Sequence, residues 1–280
     1  MKKILILAII TLPMLNSYSQ ELSGSRGIAP TAANIFNGFS DAVEWYDIPI
    51  AFAFFGNRII NQNNIGDQIV IQPNEFEVNL ARELAVPGSY SPGSMNKDML
   101  PWAVFFSRMA FNMTLNLFTE SNVTSDDYKV LFLFQKSLIY THTLTEIVKD
   151  LVKRERPNGS DYRSFFSGHT STAFAASTFL YLELNDFFKK WKVTRNDDVM
   201  NTVFNVSSCG LLFGWAGYVG YSRMRDNEHY LSDVLLGAAA GTAVSYLVYK
   251  LYYGEDKNQS SNIGISALGE NISINYTLKF

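Results

Sequence analysis

Residues 199–253 read VMNTVFNVSSCGLLFGWAGYVGYSRMRDNEHYLSDVLLGAAAGTAVSYLVYKLYY. This stretch decides the fold. Val199–Tyr221 carries no charged residue over 23 positions, and Val234–Tyr249 none over 16. Both runs are too long for strands and contain no proline, so each reads as a helix. A short polar segment between them, with Asp226 and Asn227, is the length expected between antiparallel neighbours. Working upstream, the same texture recurs in Trp102–Phe118, Asp127–Glu155 and His169–Trp191. Polar breaks at Glu120–Asp126 and Lys192–Asp198 separate these runs. The fold class is therefore all-α, a bundle of about five to seven helices over residues 101–255.

Both ends of the chain differ from this body. Residues 20–100 are polar and rich in Asn, Gly and Pro, with one apolar knot at Ile48–Phe55 and an alternating stretch at Asp67–Ile71. They read as an irregular N-terminal arm with short elements packed on the bundle. In residues 256–280, a linker leads to Ile263, Ile265 and Ala267, then to Ile272, Ile274, Tyr276, Leu278 and Phe280. That period of two across Gly269–Asn271 predicts a C-terminal β-hairpin docked on the bundle. A terminal Phe also occurs in outer-membrane barrels, but two strands cannot close one. Residues 1–19 begin with Lys2 and Lys3, continue through an apolar run to Leu15, and end with Ser17 and Ser19. This is the pattern of a signal peptide, with a cut before Gln20. Its removal takes the net charge from −3 to −5 and places the chain in the periplasm or at a membrane.

Composition narrows the function. Of the 280 residues, 47% are hydrophobic and 18% charged, enough apolar material for a core and too little charge for a disordered chain. The balance of 23 basic and 26 acidic residues gives no basic field, so no nucleic-acid partner is expected. With Cys209 alone, neither a disulfide nor a thiolate metal cluster can form within the chain. A mean hydropathy near zero is high for a soluble enzyme and low for a set of membrane spans. Asn201, Asn205, Ser207 and Ser208 make one long run polar for lipid exposure, and Arg108 and Lys136 interrupt earlier ones.

Three clusters carry chemistry. Lys149-x6-Arg156-Pro157 closes a long helical pattern. Seven residues is nearly two turns, so the two cations are expected on one helix face, about 10 Å apart. The alternative is that Lys153, Arg154 and Arg156 form a solvated helix C-terminus. Ser167-Gly168-His169 opens the next helix, where Ser167 is a natural N-cap and the free N–H groups form an anion site. Ordinary capping beside a surface histidine explains the same residues. In Ser222-Arg223-x5-His229-x3-Asp233, the His and Asp are four apart at a helix start. The carboxylate can hold one imidazole nitrogen and leave the other free. Asp233 is the only charge between Glu228 and Lys250, and His229 is its nearest candidate partner. His142 reads as a hydrogen-bonded core histidine, and Gly237-x3-Gly241 as a close helix contact. Tyr162, Phe165 and Phe166 either line an entrance or pack the loop.

Together the clusters resemble the signature of the type 2 phosphatidic acid phosphatase and vanadium haloperoxidase superfamily. Its pattern is K-x6-R-P, P-S-G-H and S-R-x5-H-x3-D. The match spans about Asp127 to Tyr253 and departs only at Phe166, where the family has proline. The resemblance implies that Lys149, Arg156, Ser167, Gly168 and Arg223 bind phosphate, with His229, His169 and Asp233 catalytic. It implies a metal-independent phosphatase with no cofactor, acting on phosphate monoesters or pyrophosphates through a phosphohistidine. The expected substrate is a lipid phosphate or another phosphorylated small molecule, with association to a membrane. Two alternatives are a vanadium-dependent haloperoxidase using the same cradle, and a non-catalytic envelope protein that binds a partner.

Overall fold

A computed structural model of the chain describes residues 27–56, 69–86, 88–95, 99–119, 123–253, 262–268 and 271–277. The expected signal peptide at 1–19 lies outside the described residues, as do the linker at 256–261 and Leu278–Phe280 of the hairpin. Five long helices form the body: α5 (Met99–Phe118), α6 (Ser125–Leu151), α7 (Gly168–Lys190), α8 (Asp198–Arg225) and α9 (Leu231–Tyr252). Before them come α1 (Ile28–Ala42), α2 (Asp47–Gly56), strand β1 (Ile69–Val70), α3 (Glu75–Leu84) and α4 (Pro92–Met95). The short elements read in the arm are therefore mostly helices, and α2 is the apolar knot. After α9, β3 (Asn262–Leu268) pairs antiparallel with β4 (Asn271–Thr277), Ile265 opposite Ile274.

Local chemistry sets the helix ends. Thr124 and Asp127 form a reciprocal box at the start of α6, and Asp197 Oδ1 accepts from Met200 N at 2.9 Å at the start of α8. Cations favour the opposite ends: Lys189 and Lys190 close α7, and Arg223 and Arg225 close α8. One boundary differs from the expected Asp127–Glu155. Helix α6 stops at Leu151, and Val152–Lys153 become strand β2, paired in parallel with β1. Arg154 continues the extended course, its N–H donating to Tyr162 O at 3.2 Å while its carbonyl accepts from Ser164 N at 3.1 Å. Backbone pairing on two sides thus replaces the helical ladder.

Helix α7 sits at the centre, packed on α6, α8 and α9. Phe134 of α6, Phe179 of α7 and Tyr249 of α9 meet in a core cluster and are essentially fully buried. Full burial of one such side chain contributes about 1.5–3 kcal/mol. The α7–α9 contact is closer than side chains would permit. A Cβ on Gly241 would stand 2.0 Å from Ser171 O, and one on Gly237 would stand 2.7 Å from Ser167 O. The small-residue spacing is thus a helix contact, as its reading held. It brings the start of α7 beside the first turns of α9.

Candidate active site

Four helix ends converge at one end of the bundle: the C-termini of α6 and α8 and the N-termini of α7 and α9. The N-termini present the positive ends of their dipoles, while the C-termini deliver cations from Lys149 and Arg223. Such an arrangement favours a negative charge at this end of the bundle.

Ser167 caps α7 and is fully buried. Its N–H donates to the Asp233 carbonyl at 3.0 Å, tying the second motif to the third. Its Oγ accepts from Thr170 Oγ1 at 3.0 Å. A Cβ on Gly168 would lie 3.4 Å from Lys149 Nζ, so the ammonium rests on the opening turn of α7. This joins the first motif to the second. His169 follows in the same turn and is half-buried.

Arg156 reaches the cluster by a different route from the expected helix face. It lies beyond the end of α6, in the extended segment after β2, and its N–H donates to Asp161 O at 2.9 Å. The guanidinium Nε donates to Asp161 Oδ1 at 2.7 Å, and Nη1 pairs with Glu228 Oε2. Burial alone would raise the Asp161 carboxyl, but the hydrogen bonds and charge of Arg156 hold it below the usual carboxylate range. Arg223 contacts the same Glu228 oxygen through Nη2 at 3.5 Å and Asp226 Oδ2 through Nη1 at 3.6 Å. Asp226 in turn accepts from Ser89 Oγ at 2.6 Å and Ser91 Oγ at 2.8 Å, tying the arm to the site.

His229 is 1% exposed. Its Nδ1 stands 3.8 Å from Asp233 Oδ2, longer than a hydrogen bond. Burial pushes its pKa down to about 4, and the charges of Lys149 and Arg156 lower it while Asp233 opposes them. At neutral pH the imidazole is therefore uncharged. With Nδ1 turned to Asp233, Nε2 is the nitrogen left to react.

Asp233 corrects the sequence-based pairing. Its short contacts are Arg154 Nη1 at 2.7 Å, Ser164 Oγ at 2.6 Å and Tyr230 N at 2.8 Å. Arg154, read as part of a solvated helix end, is 2% exposed and supplies the charge that balances Asp233. Its Nη2 also donates to Glu77 Oε2 at 2.8 Å, and Glu77 Oε1 accepts from Ser232 N at 3.0 Å. Burial alone would raise Glu77, but Ser232 and Arg154 hold its carboxyl below the ordinary value. Sequence reading missed Arg154, Ser164, Glu77 and Glu228. The only signal for Arg154 was its place two residues before Arg156; Glu77 lies in the arm and gave none.

The remaining readings resolve simply. Lys153 stacks over the exposed Tyr162 at 4.8 Å, while Phe166 is buried against Phe165 and packs the loop. His142 is half-buried in α6, about 10 Å along the axis from Lys149.

The chain is similar to several known proteins over part of its length. The chain is 35% identical over 96 residues to lipid A 1-phosphatase of Porphyromonas gingivalis, covering 34% of this chain and 18% of that protein. It is 36% identical over 94 residues to lipid phosphate phosphatase 1 of Arabidopsis thaliana, covering 33% and 26%. Against phospholipid phosphatase 2 of Rattus norvegicus it is 28% identical over 172 residues, covering 51% and 56%. The chain thus spans less than two thirds of the length of each of these relatives. A solved PAP2-type phosphatidylglycerolphosphate phosphatase from Bacillus subtilis superposes with a TM-score of 0.41 at 14% identity, covering 80% of this chain and 95% of that one. Residues 131–257, the segment that holds all the motif residues, match the model of the PAP2 superfamily.

Proposed function

We propose that the chain is a phosphatase that hydrolyses phosphate monoesters or pyrophosphates of lipids through a phosphohistidine on His229. The observation that carries this reading is the meeting of three distant motifs. Lys149 lies on Gly168, Ser167 bonds to Asp233, and Arg156 and Arg223 share one acceptor position. A phosphoryl group carries about two negative charges near neutral pH, and this end of the bundle offers three cations and a helix N-terminus. Such preorganised donors stabilise charge on the equatorial oxygens of the transition state.

In the proposed step, Nε2 of neutral His229 attacks phosphorus as the bond to the leaving oxygen breaks. His169 gives that oxygen a proton. His169 then takes a proton from water, which attacks the phosphohistidine and releases orthophosphate. General acid–base assistance of this kind contributes typically ~10²–10⁴-fold. Arg154 neutralises Asp233, whose carboxylate faces the imidazole Nδ1 at 3.8 Å. No metal and no cofactor is required, since the cation clamp supplies the positive charge.

Lipid phosphates fit the exterior of the bundle. Val199, Val203, Val206 and Leu211 of α8 are 72%, 52%, 65% and 76% exposed, and Leu235, Leu236 and Leu247 of α9 are about half exposed. Apolar surface so extensive calls for a partner phase. Helix α9 is long and apolar enough to cross a membrane. We place the protein at a membrane after export by the signal peptide, on the periplasmic side. Phosphate release from a panel of lipid and soluble phosphoesters tests the reading. Turnover should favour the lipids and vanish in His229→Ala at unchanged melting temperature; full turnover in that variant would refute it.

A further inference from the structure

Glu228 immediately precedes His229, yet the proposed chemistry gives it no part. Its place is fixed by the backbone. Asn227 adopts a left-handed conformation (φ 57°), which asparagine tolerates, and the Glu228 N–H donates to Arg223 O at 3.0 Å. The side chain is thereby folded back over the end of α8. A single oxygen, Oε2, then pairs with Arg156 Nη1 and stands 3.5 Å from Arg223 Nη2. These are the two arginines that the phosphatase reading assigns to phosphate. Each has a second carboxylate as well: Asp161 on Arg156 and Asp226 on Arg223. Those two differ from Glu228 in position. Asp226 is buried and fastened by the serines of the arm, and Asp161 bonds Arg156 through Nε, on the other edge of the guanidinium. Glu228 bridges both arginines, and its side chain is 29% exposed, so it can swing out to water.

We propose that Glu228 is a specificity-determining residue, a carboxylate of the chain that occupies a phosphoryl-oxygen position between Arg156 and Arg223 and that substrate must displace. This rests on the phosphatase reading and deepens it. Any anion entering the clamp competes with a tethered carboxylate. A free orthophosphate has only its own charge to do so and binds weakly. A substrate with a lipid portion adds contacts elsewhere and outcompetes Glu228. Release of the product is favoured for the same reason, because Glu228 returns as orthophosphate leaves.

The test uses the purified full-length chain in detergent and measures the affinity of orthophosphate and of vanadate, by calorimetry and as competitive inhibitors. Glu228→Gln removes the charge at constant shape and should tighten orthophosphate binding at least about tenfold, or about 1.4 kcal/mol. Glu228→Ala carries the same expectation should the Gln variant fail to fold, each variant being read beside its melting temperature. Unchanged or weaker binding in the folded variants would overturn the inference, because a carboxylate that merely supports the arginines would loosen them on removal. Arg223→Ala is measured in parallel. If it abolishes orthophosphate binding while the Glu228 variants gain none, the inference alone fails. If orthophosphate binding is indifferent to Arg223→Ala, the assignment of the site itself fails, and the inference with it.

Discussion

At the scale of residues, the site shows how burial selects protonation states. His229 is neutral because a low-dielectric pocket with Lys149 and Arg156 nearby disfavours the imidazolium. Its pKa of about 4 lies below the unfolded value near 6.5, so the unfolded chain binds more protons between those limits. His229 therefore contributes stability that is complete above pH 6.5 and is lost as pH falls towards 4. A melting temperature that declines over that window in the wild type, and declines less in His229→Gln, is the expected result. Arg154 makes a second test. Removing it leaves Asp233 charged and buried beside Glu77, which costs about 3–5 kcal/mol for a broken buried pair. We expect Arg154→Met to lower both the melting temperature and kcat. Measuring kcat and KM separately should show the loss mainly in kcat, since Arg154 touches Asp233 and not the anion position. Of these residues, the motif histidines and cations stood out only through the three motifs taken together and the family pattern they resemble. Arg154 and Glu77 did not, since their roles depend on a partner 79 or 77 positions away in sequence, which no local pattern records.

Among elements, the α7–α9 contact sets the geometry. Gly237 and Gly241 let the first three turns of α9 lie against Ser167 and Ser171, and the bond from Ser167 N–H to Asp233 O follows from that approach. Gly241→Val would place side-chain atoms on the Ser171 carbonyl and separate the helices. The expected outcome is loss of activity, with a melting temperature lowered by an overpacking cost of about 1–3 kcal/mol or more. Gly217→Ala on α8, where a Cβ meets nothing within 4 Å, is the matched control and should keep activity with no loss of melting temperature, since Ala favours the helix over Gly by about 0.5–1 kcal/mol. Element positions were readable because long apolar runs and polar breaks mark helices directly. The end of α6 was misread for a physical reason: Val152–Lys153 retain an apolar-then-basic pattern compatible with helix, and pairing with β1 decides otherwise. Lys149 and Arg156 consequently meet through an extended segment instead of helical phase.

For the whole molecule, the proposed anion site lies at one end of the bundle while apolar side chains are exposed along α8 and α9. This predicts that the expressed protein sediments with membranes and resists extraction by alkaline carbonate; recovery in the soluble fraction would contradict membrane placement. Chelators should leave turnover unchanged. The sequence pattern could not settle membrane placement, because Asn201, Asn205 and Ser208 weaken the apolar run in α8; in the fold, Asn205 Nδ2 and Ser208 Oγ donate to carbonyls one turn back. The central claim is that His229 attacks phosphorus at the meeting point of the three motifs. Rapid quenching of the enzyme with a phosphate-labelled lipid substrate, followed by mass spectrometry of its peptides, measures this most directly. The account predicts transient label on His229, absent from His229→Ala and accumulating in His169→Ala; label on Ser167, or turnover with no labelled histidine, would contradict it.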